Sequence, residues 1–400
     1  MVKQTGEESW DRLGLVPRIA LIAAGTFPAI GLFSMGAALP AIERGFADTQ
    51  NAALMIQIVI GLVAPLFALA SPLAGRLVAQ HGVRSIYLVS IVLFLIGGLG
   101  PAICSSLWAM IPFRVILALG IAGVSTAGYS GIARVPEKQR HTMIGMLNFA
   151  GGAISIAAFP LVGFLAQQDW DLAFLVHLIV VPLALTAFAL PPRSEPTHVE
   201  EAGTEPLPAK PLAGLPIILL VIAVVAGWSM VGSSIYSPVY LSSIGMSDSG
   251  RIGSVLAIMA ACSLLGSGSY GYVHRLFGTH KMLLLGLALT GSGCAVIGAS
   301  GAITGATVGF GLMGAGLAAC VAAIFASAIE AIGPTGNVGG AMGVMNLAMF
   351  GPQILFPPIA LAIGGSGGPS LVYYLLAALY AACLVIAGTI GPAGKARAKA

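Results

Sequence analysis

The sequence has too few charged residues to cover a surface that faces water. Only 8% of its 400 residues are Asp, Glu, Lys or Arg, and 58% are hydrophobic, whereas a soluble domain carries about 25% charged residues. This composition excludes an ordinary soluble domain. The apolar runs are long and unbroken, which excludes the short alternating segments of a barrel. We therefore expect a membrane protein built from helices.

The sequence also lacks the usual signs of metal, redox or nucleotide chemistry. Its five cysteines stand singly in apolar segments, without CxxC spacing. We predict that they are small core residues, that there is no metal site and that no cofactor is needed. The first fifteen residues lack the layout of a signal peptide, so we expect the first helix to be retained.

Twelve apolar runs fall into two groups of six, separated by a stretch rich in Pro and Glu. We predict an all-α membrane fold with twelve transmembrane helices in two pseudo-symmetric six-helix bundles. The predicted segments are a cytoplasmic tail (1–15), an N-terminal bundle (16–190), a disordered cytoplasmic linker (191–213), a C-terminal bundle (214–391) and a basic cytoplasmic tail (392–400).

Positive charges are distributed unevenly between the two sets of loops. With the N-terminus placed inside, fifteen of the eighteen Lys and Arg residues fall on the cytoplasmic side. Only Arg44 and Arg251 fall outside, and Arg114 lies within a helix. We therefore expect cytoplasmic termini and an inner or plasma membrane location. Because this asymmetry explains the basic pI, we infer no nucleic-acid partner.

A short basic segment occurs twice, at 75–84 and at 271–281, between apolar runs in each half. We predict that both copies are cytoplasmic gating loops. Their key residues are Gly75, Gly82, Arg84, Gly271, Gly278 and Arg275. The copies match at an offset of 196 residues, and other identities match at 198. Such a parallel duplication predicts two halves related by an axis along the membrane normal, with a central site at their interface.

Over essentially its whole length, the chain resembles the major facilitator superfamily, and within it the drug and metabolite antiporters. Gly75, Gly82 and Arg84 match the family's loop motif between the second and third helices, although Ala79 stands where the family has Asp. Residues 114–123 resemble its fourth-helix motif, in which an intramembrane Arg precedes small residues. The resemblance implies a secondary transporter whose halves rock about a central cavity.

Three polar residues are candidates for substrate binding or ion coupling. Arg114 near a helix centre is costly in a bilayer, so it should face the interior, as a fixed charge or as a structural support. His177 titrates near neutral pH in water, although a lone His in an apolar run is more often a packing residue. Glu330 ends the tenth helix and could carry a proton or be an ordinary solvated charge.

Aromatic, Met and amide residues complete the candidate site. The resemblance places the first and seventh helices around the cavity, which makes Phe27, Phe33, Met35, Trp228 and Tyr236 candidate lining residues or ordinary packing residues. Two amide side chains occupy equivalent places on the fifth and eleventh helices and could pack the halves together. They are Asn148 and Asn346.

These features predict a secondary active transporter, not an enzyme, that moves a small organic solute by alternating access. We favour proton-coupled efflux of moderately hydrophobic compounds by a monomer, with the solute, protons and the lipid bilayer as partners. The alternative is an organic-anion carrier in which Arg114 binds the anion. A non-transporting receptor or scaffold is more remote. An intramembrane protease built on Ser130 and His177 conflicts with the duplicated twelve-helix plan.

Overall fold

A computed structural model describes Trp10 and residues 13–192, 215–332 and 338–390. The chain divides into two compact units, Met1–Glu205 and Pro206–Ala400. Throughout the described residues, every regular element is a helix, which confirms the all-α prediction. Most of the predicted linker and of both tails lies outside the described residues. The domain boundaries therefore stay predictions.

The described residues contain twelve helical spans long and apolar enough to cross a bilayer, as predicted. In the first unit they are α1 (Leu15–Gly45), α2 (Ala52–Val78), α3 (Val83–Ile103), α4 (Leu107–Ala133), α5 (Met143–Gln168) and α6 (Asp171–Ala189). In the second unit they are α7 (Ile217–Ser243), α8 (Ser249–Gly268), α9 (Leu276–Ala299), α10 (Ile303–Ala328), α11 (Val344–Gly367) and α12 (Pro369–Thr389). Some helices continue beyond the apolar span. The helix in the second half of α2, for example, runs on to His81.

Glycines let α3 and α4 approach until backbone meets backbone. A Cβ atom added at Gly97 would lie 2.3 Å from the backbone nitrogen of Leu117, and one added at Gly120 would lie 2.5 Å from that of Phe94. Neither position has room for a side chain. In lipid, where apolar burial does not drive helix association, such close contact supplies the attraction between helices.

The same contact recurs between α9 and α10 in the second unit. A Cβ atom at Gly293 would lie 2.5 Å from the backbone nitrogen of Met313, and one at Gly316 would lie 2.5 Å from that of Thr290. The two glycines and the two residues that they contact each lie 196 residues after their counterparts in the first unit, as Gly293 does after Gly97. The internal repeat predicted from sequence is therefore also a repeat of helix packing.

The predicted gating loops are largely helical, which corrects the sequence prediction. The helix of α2 continues through the first copy to His81, and only Gly82 breaks it, with φ 85° and ψ 160°. In the second copy a single helix, Ser249–Ala299, is interrupted at Gly278, with φ 76° and ψ 168°. This region of backbone conformation is essentially restricted to glycine. Each copy is therefore a one-residue hinge between two helices.

The first span of each unit contains a π-helical turn. The turn in α1 is Ala29–Phe33 and the turn in α7 is Gly232–Tyr236. Hydroxyl groups accompany both turns: Ser34 donates to the carbonyl of Ile30 (2.5 Å), and Tyr373 donates to the first carbonyl of the α7 turn (3.1 Å). Such turns are frequent at functional sites. The π turns therefore make α1 and α7 candidate ligand-contacting helices.

We expect Gly278→Ala to lower the thermal unfolding temperature of the detergent-solubilised protein. A Cβ atom has open space around it here, so the cost comes from the backbone conformation, at about 1–3 kcal/mol. Gly268→Ala is the matched control, because Gly268 is helical and also has open space. Alanine favours a helix, so the control should be neutral or stabilising. Equal unfolding temperatures for the two variants would contradict the hinge conformation.

Candidate functional site

Arg114 lies inside the first unit, about two turns from the start of α4. Its side chain is 1% exposed. Its Cζ atom lies 5.1 Å from the ring centroid of Phe174 on α6. An Arg at the centre of a span costs roughly 2.5–3.5 kcal/mol on insertion scales, and the cost is smaller for Arg114, which lies nearer the start of α4 than its centre. The face of the Phe174 ring offsets part of that cost through a cation–π interaction.

Much of the hydrogen-bonding capacity of Arg114 is unused. Its Nε and Nη2 atoms are buried and have no hydrogen-bond acceptor among the described residues. A guanidinium presents five N–H donors and stays charged, and its planar fork matches a carboxylate or a phosphate. This arrangement can therefore hold an anion or an ordered water molecule.

His177 lies three residues after Phe174 on α6 and is fully buried. Its Nδ1 atom donates to the carbonyl of Phe174 (2.8 Å). This bond fixes the tautomer that leaves Nε2 as an acceptor, and Nε2 has no partner among the described residues. The imidazole ring packs 5.3 Å from the ring of Phe94 and against Gly98.

The structure thus brings Arg114 and His177 together at Phe174. The guanidinium of Arg114 lies over the ring of Phe174, and His177 donates a hydrogen bond to the Phe174 carbonyl. The pair supplies buried donors on the guanidinium and a buried acceptor on the imidazole. Sequence reasoning had identified both polar residues but had missed Phe174, because a Phe in an apolar run gives no signal of its own.

The α1 candidates belong to the interior of the first unit. Phe27 is fully buried and packs 4.8 Å from Phe94 and 6.3 Å from Tyr87, measured between ring centroids. Met35 is also buried. The side chain of Phe33 lies outside what the structure describes. Phe27 therefore connects the π turn of α1 to the ring that supports His177.

Of the α7 candidates, Trp228 lines an apolar cavity of about 310 Å³ in the second unit, which is open at the surface, where Ile359 and Leu375 are 39% and 41% exposed. Trp228 is half-buried, lines the cavity and donates from Nε1 to the carbonyl of Pro352 (3.0 Å). Tyr236 is buried beside Phe356, with ring centroids 6.3 Å apart. The neighbouring Tyr373 ring lies 6.2 Å from Tyr236. Phe356 and Tyr373 were not predicted, because only the folded chain brings α11 and α12 to α7.

The remaining polar candidates lie at more exposed positions. Asn148 is exposed and accepts a long hydrogen bond from Tyr129 (3.4 Å). Asn346 is exposed on α11. Glu330 is exposed beyond the end of α10 and accepts a hydrogen bond from Thr279, the residue after the second hinge. This bond ties the hinge to the end of the tenth helix.

The predicted gating residues differ in how fully the structure describes them. Gly75 lies within a helix, where a Cβ atom would be in ordinary contact with Thr126 at 3.9 Å. Arg84 is half-buried at the start of α3. The surroundings of Gly271 and Arg275 lie outside the described part of the chain.

The sequence profile of the Major Facilitator Superfamily matches residues 21–276 of the 400. The chain belongs to this superfamily. With its twelve apolar spans it is an integral multi-pass membrane protein. Membership also accounts for the internal repeat, because superfamily members are built from two parallel six-helix halves.

Individual relatives match only part of their own length. The chain is 26% identical over 167 residues to the uncharacterized MFS-type transporter YfiU of Bacillus subtilis (strain 168), a segment that covers 39% of this chain and 32% of YfiU. It is 31% identical over 124 residues to Azole resistance protein 1 of Saccharomyces cerevisiae, covering 30% of this chain and 20% of that protein. The chain thus spans a third or less of either relative in these alignments.

Solved structures share the fold across almost the whole chain. The crystal structure of a D-xylose-proton symporter has a TM-score of 0.75 to this chain, with 14% sequence identity, and the match covers 95% of this chain and 98% of the symporter. At this level of identity the likeness establishes the transporter fold and leaves the solute open.

We expect Gly98→Ala to destabilise the protein through His177. A Cβ atom at Gly98 would lie 2.4 Å from the imidazole ring, and overpacking of this kind costs about 1–3 kcal/mol. In a His177→Ala background the contacts with the ring are gone and only the 2.9 Å contact with the Cβ atom of residue 177 remains, so the same substitution should cost less. Thermal unfolding of the two single variants and the double variant measures this coupling.

Gly100→Ala is the control for that cycle. Its Cβ atom would meet Phe113 at 2.0 Å, not His177, so its cost should persist in the His177→Ala background. Additive effects of Gly98→Ala and His177→Ala would contradict the packing of His177 against α3.

Proposed function

We propose that the protein is a secondary active transporter that exports moderately hydrophobic organic compounds by alternating access, in exchange for protons. It acts as a monomer in the inner or plasma membrane, with both termini in the cytoplasm. The excess of Lys and Arg on one set of loops supports this orientation. No nucleotide-binding motif is present in the sequence, so an ion or substrate gradient supplies the energy, and we favour protons.

The apolar cavity beside Trp228 is the observation that carries the proposal. Ligand sites for small organic molecules are mostly apolar, with aromatic walls and few polar groups. The cavity has this character, with Trp228 and Phe356 among its lining residues. It adjoins the helix that contains the π turn Gly232–Tyr236. The name of the Saccharomyces cerevisiae relative, for azole resistance, also supports an apolar solute.

Proton coupling is assigned to the cluster around His177. The imidazole Nε2 and two guanidinium nitrogens of Arg114 are buried without partners among the described residues. The partnerless Nε2 can accept a proton, and both residues pack on Phe174, so the proton site and the guanidinium belong to one cluster. Such a site can exchange a proton when the protein exposes it first to one side of the membrane and then to the other.

A second candidate function is transport of organic anions. The unbonded guanidinium nitrogens of Arg114 favour it, because a carboxylate would complete their hydrogen bonds. In that case Arg114 binds the anionic group of the solute.

We expect Trp228→Ala to raise the KM for export about tenfold, because loss of an aromatic contact costs about 1.4 kcal/mol or more. Purified protein in proteoliposomes with an imposed pH gradient would be tested with labelled tetraphenylphosphonium and fluconazole. Trp228→Phe should retain most of the affinity. Trp108→Ala is the matched control, since Trp108 is 70% exposed at the start of α4. An unchanged KM in Trp228→Ala would argue against solute contact there.

We expect Arg114→Gln to separate the two candidate functions. If the protein exports apolar compounds, this variant should keep their transport but lose its dependence on the pH gradient. If it carries anions, uptake of labelled benzoate should disappear. Arg251→Gln removes an exposed Arg and should change neither result. If Arg114→Gln changed neither the dependence of export on the pH gradient nor the uptake of benzoate, Arg114 would have no role in either mechanism.

A further inference from the structure

An apolar groove opens on the first unit between α2 and α4. Its volume is about 220 Å³. It is lined only by aliphatic side chains: Leu66, Leu69, Ala70, Val115, Ala118 and Leu119. Leu69 and Leu119 are 65% and 39% exposed, so the groove is open at the protein surface. In a membrane span, such a surface is covered by lipid chains or by protein.

The groove continues along α2 towards a positive charge. Leu66, Leu69, Leu73 and Arg76 follow each other at intervals of three or four residues, which places them on one face of the helix. Leu73 is 52% exposed and Arg76 is also exposed. At the rise of an α-helix, Arg76 lies about 10 Å beyond Leu69 along the axis.

The depth of these residues matches one leaflet of a bilayer. The apolar span of α2 ends at Val78, so Arg76 lies near the headgroups. The groove lies about 10 Å deeper, within the roughly 15 Å of hydrocarbon that half a bilayer provides. A lipid with its headgroup at Arg76 would therefore place its acyl chain in the groove.

The local charge is suited to an anion. The sequence contains no Asp or Glu between Asp48 and Glu137, but three arginines occur in that interval near one end of the spans: Arg76, Arg84 and Arg134. Basic residues next to a membrane attract anionic lipids electrostatically. The Arg76 side chain also has an apolar stem that can lie along the groove.

We propose that the α2–α4 groove and Arg76 form a binding site for one phospholipid with an anionic headgroup. Arg76 binds the lipid phosphate, and the leucines of the groove hold one acyl chain. This site is separate from the proposed solute and coupling residues, so it does not depend on which solute is transported.

The internal repeat provides a matched control. Leu265 follows Leu69 by 196 residues and is 73% exposed on α8. At the position that corresponds to Arg76, however, the sequence has Tyr272. The second unit therefore repeats the exposed leucine with its nearest cation, Arg275, about one turn further along, and we expect a weaker preference for anionic lipid there.

Native mass spectrometry of the delipidated full-length protein can test the site. Phosphatidylglycerol and phosphatidylcholine with identical chains would be titrated separately. We expect one phosphatidylglycerol to bind more tightly than phosphatidylcholine. Arg76→Gln should weaken the affinity for phosphatidylglycerol about fivefold, which corresponds to the loss of one cation near the headgroup. Leu69→Trp should also weaken it by filling the groove.

Arg251→Gln and Leu265→Trp should leave binding unchanged, because they alter an exposed Arg and an exposed Leu elsewhere. The proposal would be overturned if the two lipids bound equally tightly. It would also be overturned if the test and control variants lost the same affinity for phosphatidylglycerol. Displacement of the lipid by millimolar glycerol 3-phosphate would overturn it as well, because the headgroup alone would then account for the binding. Thermal unfolding of every variant would show whether a loss reflects misfolding.

Discussion

The bilayer offers no water to the backbone, and this constraint shapes the whole protein. Every N–H and C=O within a span needs an internal partner, so the described spans are helical. Where the helical ladder is irregular, at the π turns of α1 and α7, the hydroxyls of Ser34 and Tyr373 donate to backbone carbonyls. The irregular turns are therefore stabilised by side chains and not by solvent.

Close helix contact replaces the hydrophobic effect as the source of cohesion within each unit. The pairs Gly97–Leu117 and Gly293–Met313 bring backbones together at equivalent points of the repeat. Gly82 and Gly278 are the single non-helical residues at which one helix ends and the next begins. Each of these glycines thus separates two helices without a longer connecting loop.

The cluster around Phe174 shows how a charge is held without a carboxylate. The guanidinium of Arg114 lies over an aromatic ring, and two of its nitrogens have no acceptor among the described residues. A carboxylate partner would neutralise the cation and fill its hydrogen bonds permanently. The aromatic partner stabilises the charge but leaves donors free for an exchangeable ligand, which connects this packing to the proposed coupling role.

The sequence by itself determined the membrane class, the number of spans, the internal repeat and the family, because hydropathy, charge asymmetry and glycine spacing are properties of residue order. It also identified Arg114 and His177, since polar residues are conspicuous in apolar runs. It misjudged the segments at 75–84 and 271–281 as loops, because local composition cannot show that a helix continues to a single glycine. Only the tertiary structure decided that Phe174 joins Arg114 to His177, that Phe356 and Tyr373 surround Tyr236, and that α2 and α4 enclose a groove. These are contacts between distant segments, and their geometry depends on how closely the helices pack.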